Sequence, residues 1–166
     1  MARLAIVIPI FNEEETLPEL ARRVREACDS LADVAWQVIY VNDGSSDRSG
    51  PIMREQRAGD PRFTIVELSR NFGHQAAISA GLAHVDADAV VIMDGDLQDP
   101  PEVIPDLVAV WRSGAKVVRA VRRSRQDGGV RGVGFRLFHR GLSLVSDLEF
   151  TRDTGVFSLL DRVAVR

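Results

Sequence analysis

Short apolar runs recur along this chain, each closed by a polar or glycine-bearing turn and followed by a segment of helical periodicity. The runs Leu4–Ile10, Trp36–Val41, Phe63–Leu68, Ala89–Met93 and Lys116–Val121 read as strands, with a last short strand over Gly155–Leu160. Between them, Thr16 to about Leu31, Arg48–Arg57, His74–Ala83 and Pro101–Trp111 read as helices. Pro51 and Pro101 sit in first turns, where a missing N–H costs nothing. Glu13, Glu14 and Glu15 crowd the start of the first helix and Arg22, Arg23 and Arg25 follow, an order that suits its dipole. Gly128-Gly129 marks a loop, and Leu137, Phe138, Leu142, Val145 and Leu148 give Val133 to Leu148 an amphipathic helical spacing. Strands alternating with helices predict an α/β layered fold with a mostly parallel sheet and flanking helices, and 166 residues suffice for one such domain.

In open sheets of this kind ligands bind outside the carboxyl ends of the strands. Three polar clusters fall there: Asn12 and Glu13 after the first strand, Asn42 and Asp43 after the second, Asp94 and Asp96 after the fourth. Asp94-Gly95-Asp96 places two hard oxygen ligands on one turn, a pattern that suits Mg2+ or Mn2+ with phosphate oxygens completing the shell. In an arbitrary chain such a triplet is a surface turn. At the mouth of an apolar strand, followed by Leu97-Gln98-Asp99-Pro100-Pro101-Glu102, the cation site is favoured, with Gly95 allowing a tight turn. Asn42-Asp43-Gly44-Ser45 reads either as a ribose or base contact or as a capping turn, and Asn12 with Glu13 either as a nucleotide contact or as a helix cap.

Other chemistries are excluded. Cys28 is the one cysteine and falls on a predicted amphipathic helix, which rules out a disulfide framework and a thiolate metal site. His74 reads as a capping or surface histidine, and His84 and His139 have no paired ligand spacing. No secretory leader is visible, and no apolar stretch reaches the ~18 residues that span a bilayer, so a chain that is soluble or lies on a membrane is expected. Up to Val118 there are 11 basic and 19 acidic side chains; from Arg119 on there are 10 and 5. The arginine-rich last third, including Arg122, Arg123, Arg125, Arg131, Arg136 and Arg140, fits an anionic partner or a solvated face. Arg136 and Arg140 share a helix face, and guanidinium forks suit phosphate. Aromatic interleaving of the kind single-strand nucleic-acid binders use is not evident, so no nucleic-acid partner is expected.

The run Ile8-Pro9-Ile10-Phe11-Asn12-Glu13-Glu14 resembles the opening of family 2 glycosyltransferases, as does Val41-Asn42-Asp43-Gly44-Ser45-Ser46-Asp47. Ser69-Arg70-Asn71-Phe72-Gly73-His74-Gln75-Ala76-Ala77 and Met93-Asp94-Gly95-Asp96-Leu97-Gln98-Asp99-Pro100-Pro101-Glu102 are similar to the branch holding dolichol-phosphate mannose synthases and polyprenyl-phosphate (bactoprenol) glucosyltransferases. Asp153 to Arg162 matches a later family segment, although many members read Gly-Asp-Phe-Arg where this chain has Gly155-Val156-Phe157-Ser158. The resemblance implies a GT-A (Rossmann-like) nucleotide-diphospho-sugar transferase fold, with residues 1–166 as a single catalytic domain lacking the family's C-terminal membrane-associated segment. It places Pro9, Phe11, Glu13 and Asp43 near base and ribose, and Asp94, Asp96 and Gln98 at metal and diphosphate. It also puts Arg122 and Arg136 at the acceptor phosphate, and Asp153 as an active-site carboxylate beside the catalytic Asp96 and Arg122.

The implied reaction is metal-dependent transfer of a hexose, with inversion, from a donor of the UDP-glucose or GDP-mannose type to a polyprenyl phosphate. It would take place at the cytoplasmic face of a membrane, with Mg2+ or Mn2+ as cofactor. A non-catalytic nucleotide-sugar-binding module, a truncated inactive member and transfer to a non-lipid acceptor are the alternatives. A haloacid-dehalogenase-type phosphatase is disfavoured because its Asp-x-Asp follows the first strand of its domain, whereas here the motif follows the fourth. A nucleotidyltransferase is disfavoured because Pro9-Ile10-Phe11-Asn12-Glu13 lacks the glycines and basic residues that cradle a triphosphate.

Overall fold

β1 (Ala2–Ile10) runs through the middle of a six-stranded sheet in the computed structural model, which describes residues 1–121 and 156–165. It pairs in parallel with β2 (Val34–Asn42) on one edge and with β4 (Ala89–Ile92) on the other. β3 (Phe63–Glu67) extends the sheet beyond β2, again in parallel. On the far side β6 (Ser158–Asp161) inserts antiparallel between β4 and β5 (Val117–Arg119), so the order is β3-β2-β1-β4-β6-β5. The expected mostly parallel sheet with flanking helices is therefore present, with β6 as its antiparallel member.

Side chains alternate across β1 because successive residues of a strand face opposite sides. Leu4, Ile6, Ile8 and Ile10 enter the larger core, with α1 (Leu17–Asp29), α2 (Ser49–Gly59) and α4 (Ile104–Arg112) supplying Leu20, Val24, Met53, Leu107 and Val108. Ala5 and Val7 face the other way, toward α3 (His74–Leu82), where Ala77 joins Ile39, Val41 and Val90. Cys28 lies in the larger core, where burial, with Asp29 nearby, pushes its thiol up to about 12. It is a packing residue, as expected.

Several boundaries differ from expectation. β2 starts at Val34 rather than Trp36 because Val34 and Ala35 pair with Ala2 and Arg3. Pro101–Trp111 divides into a 3-10 turn, Pro101–Val103, and α4, as two prolines four positions apart, Pro101 and Pro105, each sit in the first turn of a helical segment. The last strand begins at Ser158, not Gly155, since its ladder with β4 and β5 starts there. The dipole reading of α1 is corrected. The helix starts at Leu17, after the three glutamates, and no basic residue lies in its last turn. Its arginines make lateral pairs instead: Arg22 with Glu19 and Glu26, Arg23 with Glu102, Arg25 with Asp60. The amphipathic stretch Val133 to Leu148, Gly128-Gly129 and the arginine cluster from Arg122 to Arg140 lie outside the described residues. Among the described residues no helix is long and apolar enough to cross a membrane.

Asp60 ties α1, α2 and β3 together. The Arg62 guanidinium bonds it, burial opposes the charge, and the Arg62 N–H and Arg25 add to the first effect, holding the carboxyl far below its usual value. Such a depressed group stabilises the fold fully above the unfolded carboxyl value of about 4 and loses that contribution as pH falls through its folded value. Asp60→Asn is expected to cost about 2 kcal/mol at pH 7, and the gap from wild type should close toward pH 2 in denaturant melts; a gap independent of pH contradicts this.

α3 sits unusually close to the sheet. A Cβ at Gly81 would come within 2.5 Å of Val7 Cγ1 and 2.8 Å of Val41 Cγ2. Alanine there would gain about 1 kcal/mol of helix propensity. Overpacking against two β-branched side chains on interior strands costs about 1–3 kcal/mol and outweighs it. Gly81→Ala is therefore expected to lower the thermal midpoint by a few degrees, at roughly 2–4 °C per kcal/mol, and a raised midpoint would refute the packing argument.

Candidate functional site

The chain passes from β1 to β2 and β3 on one side, then crosses to β4 on the other. The strand order thus reverses between β1 and β4, and at their carboxyl ends the two outgoing loops diverge and leave a crevice. A cleft of about 290 Å³ opens there, lined by Pro9, Ile10, Phe11 and Glu13 after β1, Asp43 after β2, Asn71, Gly73 and His74 at the start of α3, and Asp94, Gly95 and Asp96 after β4. The structure therefore brings Pro9, Phe11, Glu13, Asp43, Asp94 and Asp96 together. Gln98 stands beside the cleft without lining it; its N–H donates to Asp96 Oδ1 at 2.9 Å. Arg122, Arg136 and Asp153 lie outside the described residues.

The loops around the cleft are joined chiefly by side chains that accept backbone N–H groups. Asn12 takes the left-handed region, φ 58, which asparagine tolerates better than most residues. Its N–H donates to Ser45 Oγ and its Oδ1 accepts the Ser46 N–H, so it links two loops and caps no helix. Glu13 donates its N–H to Ser49 Oγ at 2.8 Å, and its side-chain Oε2 accepts the Thr16 hydroxyl. Asp47 accepts N–H bonds from Glu14 and Ser49. Burial acts to raise its carboxyl, but the Ser49 hydroxyl and these N–H groups outweigh it and hold the group below its ordinary value.

Asn42-Asp43-Gly44-Ser45 turns out to be an anchor. Asn42 Oδ1 accepts the Ser45 N–H, closing the turn. Asp43, only 3% exposed, accepts the Phe72 N–H at 2.8 Å on Oδ1 and the Gly73 N–H at 3.0 Å on Oδ2. Gly44 is needed twice over: its φ is +72, and a Cβ would lie 2.6 Å from both Arg70 C and Asn71 N. The turn thus seats the loop before α3 on the end of β2.

Asp94-Gly95-Asp96 bends differently from expectation. The left-handed residue after β4 is Leu97, φ 61, not Gly95. Gly95 lets the turn pack closely on β1: a Cβ there would lie 2.6 Å from Ile10 Cδ1 and make that side-chain end shift. Among the described residues no group of three or more His, Cys, Asp or Glu side chains is spaced to hold a metal by itself. Two carboxylates at a cleft do fit a cation such as Mg2+ or Mn2+, which keeps water and phosphate oxygens in its shell. Sequence reasoning missed two polar side chains of the cleft, Asn71 and His74. His74 is exposed and opens α3, as expected of a surface histidine; what that reading lacked is that it lines the cleft, with Nε2 3.3 Å from Asp94 Oδ1. Its signal was present in the Asn71-Phe72-Gly73-His74 turn, which precedes a helix aimed at the strand ends.

Residues 5–166 match the family model described as glycosyl transferase family 2. Uncharacterized glycosyltransferase YkcC of Bacillus subtilis (strain 168) is 42% identical over 159 residues, covering 95% of this chain and 49% of that protein. An undecaprenyl-phosphate 4-deoxy-4-formamido-L-arabinose transferase of Salmonella choleraesuis (strain SC-B67) is 42% identical over 154 residues, covering 92% of this chain and 44% of the relative. The chain thus spans about half the length of these curated relatives. Among solved structures, a mannosyltransferase from Pyrobaculum calidifontis in complex with GDP-Man and Mn2+ superposes with a TM-score of 0.61 at 23% identity, over 74% of this chain and 36% of that one. Residues 1-349 of TarS from S. aureus superpose with a TM-score of 0.65 at 17% identity, over 96% and 47%. These likenesses establish the expected GT-A fold.

The Asp43 anchor has a direct readout. Asp43→Ala removes both acceptors and should speed hydrogen exchange at the Phe72 and Gly73 amides by about tenfold or more, since each bond to a charged group is worth ~1.5 kcal/mol or more. The β2 amides should be unaffected. Unchanged protection at 72 and 73 would show that the loop is held by something else.

Proposed function

The chain belongs to glycosyltransferase family 2, and we propose that it transfers a hexose from a nucleoside-diphosphate sugar to a polyprenyl phosphate. The observation that carries this reading is the meeting of Asp94 and Asp96 with Phe11, Glu13 and Asp43 in one cleft at the switch point of the sheet. The name of the Salmonella relative, which specifies undecaprenyl phosphate, supports the acceptor class. Residues 1–166 would make up the catalytic domain, working at the cytoplasmic face of a membrane.

Phe11, 46% exposed beside Pro9, offers a ring on which a base can stack. Glu13 and Asp43 line the same cleft, where ribose hydroxyls and base N–H groups would find acceptors. Asp94 and Asp96, with Gln98 beside them, would hold Mg2+ or Mn2+ against the diphosphate. That cation would supply charge stabilisation for the departing nucleoside diphosphate. On the acceptor side, Arg122 and Arg136 would take the phosphate, and Asp153 would stand as a carboxylate near the reacting centre. A phosphate monoester has a second pKa near ~6, so its attacking oxygen is largely ionised at neutral pH and needs no strong base. The residues of the cleft then contribute mainly by orienting donor and acceptor for one displacement, which inverts the anomeric carbon.

Asp96→Asn separates the cation role from the fold. Asparagine keeps the Oδ1 that accepts the Gln98 N–H, so the turn survives while the charge is lost. Calorimetry with UDP-glucose or GDP-mannose is expected to show Mn2+-dependent binding by wild type and none by Asp96→Asn, with equal thermal midpoints. Unchanged affinity in the variant would overturn the cation assignment. Donor binding by the full-length protein with no transfer to polyprenyl phosphate would overturn the transferase reading in favour of a binding module.

A further inference from the structure

Four joins close the rim of the cleft into a ring. Asn12 joins the β1 loop to the β2 loop, Asp43 joins β2 to the loop before α3, and Gly95 packs directly against Ile10 and Pro9. The fourth join links α3 to the end of β4, and it alone of these is made by two side chains: His74 Nε2 at 3.3 Å from Asp94 Oδ1.

The imidazole is delivered by a firmly placed element. His74 is the first residue of α3, directly after Gly73, whose N–H is held by Asp43. At the other end of the helix, Gly81 seats α3 against Val7 and Val41. Asp94 meets this imidazole unevenly. Its Oδ1 is shut off from solvent, while the side chain as a whole keeps 31% of its exposure, facing the cleft it lines.

We infer that His74 is a positioning residue for Asp94. The imidazole stands 3.3 Å from Oδ1 without closing a hydrogen bond to it here; in the tautomer with the proton on Nε2 a small rotation closes that bond and fixes the carboxylate rotamer, so that the other oxygen is presented to the cleft. This rests on the reading that Asp94 and Asp96 hold a divalent cation. A ligating carboxylate that is already oriented loses less rotamer freedom on binding, and removing such an outer partner weakens metal affinity by about tenfold or more.

The test titrates Mn2+ by calorimetry into the folded protein with UDP, and separately with GDP, for wild type, His74→Ala, His74→Gln and His74→Phe. Nucleotide affinity without cation and the thermal midpoint are measured alongside. His74→Ala is expected to weaken Mn2+ about tenfold or more while leaving cation-free nucleotide affinity and the midpoint unchanged. His74→Gln, whose amide can donate over a similar reach, should recover most of the loss. His74→Phe fills the space without a donor and should not, so if the alanine variant loosens α3 the Gln and Phe pair still decides. Equal Mn2+ affinity in those two, or wild-type affinity in His74→Ala, overturns the inference while leaving the cation site standing. A loss of cation-free nucleotide affinity equal to the loss for Mn2+ also overturns it, by making His74 a nucleotide contact. A wild-type protein that binds UDP and GDP alike with or without Mn2+ sinks the cation reading and this inference with it.

Discussion

β1 is hydrogen-bonded along both edges and buried on both faces, so the strand can meet a ligand only at its ends. That constraint organises the rest. Parallel neighbours on both edges force the connections from β1 through β4 to cross over through helices, which brings their polar loops out at one edge of the sheet. Because β2 and β4 leave β1 in opposite directions, the loops after β1 and β4 cannot close over one another, and the crevice at their carboxyl ends follows from topology before any side chain is chosen. The side chains then decide what the crevice can hold.

The rim would be a poor platform if its loops were free to move, and apolar packing does little there because Phe11, Arg70, Asn71 and Phe72 are exposed. Its order comes from short polar side chains that take up backbone donors of neighbouring loops: Asn12, Asn42, Asp43, Asp47 and Ser49. Buried N–H groups left without acceptors would each cost about 1–3 kcal/mol, so this network is specified by satisfaction as much as by attraction. Of these, Asp43 lines the cleft, Ser49 holds the lining residue Glu13, and Asn12 sits in the chain between the lining residues Phe11 and Glu13. The groups that build the site and the groups that would touch a ligand are therefore adjacent, and in Asp43 they coincide.

Much of this was legible in the chain itself. β1, β2, β3 and β4 are apolar runs of the length a buried parallel strand needs, and the carboxylates at 43, 94 and 96 follow two of them, β2 and β4. What escaped reading depends on distant partners. Asp43 reads as a ligand or a turn former because its backbone donors lie 29 and 30 residues further on. The antiparallel insertion of β6 is fixed partly by Asp161, whose carboxyl accepts the Trp111 indole N–H and the Lys116 ammonium. The Trp111 bond and the Val163 N–H hold that carboxyl below its usual value against the pull of burial, with Lys116 adding to them. No local periodicity announces such a bond. Gly81 reads as a weak helix residue until Val7 and Val41 are seen beneath it. His74 needed the crossing of α3 over the sheet to bring it to Asp94.

The charge of the cleft gives the proposed chemistry its direction. Glu13, Asp43, Asp94 and Asp96 line it, and among the described lining residues there is no lysine or arginine. Two N–H dipoles answer part of the charge on Asp43. A diphosphate entering beside the others would meet like charges, at about 3 kcal/mol for each unit pair 5 Å apart at an effective dielectric near 20. On the proposed reading a divalent cation converts that repulsion into a bridge, with carboxylates on one side and phosphate oxygens on the other. Cation and nucleotide then bind as linked partners: whatever factor the cation adds to nucleotide affinity, the nucleotide must add to cation affinity. On that same reading the acid-lined cleft would be a selective device, discriminating against free anions and acting on the metal complex of the donor rather than on the bare diphosphate.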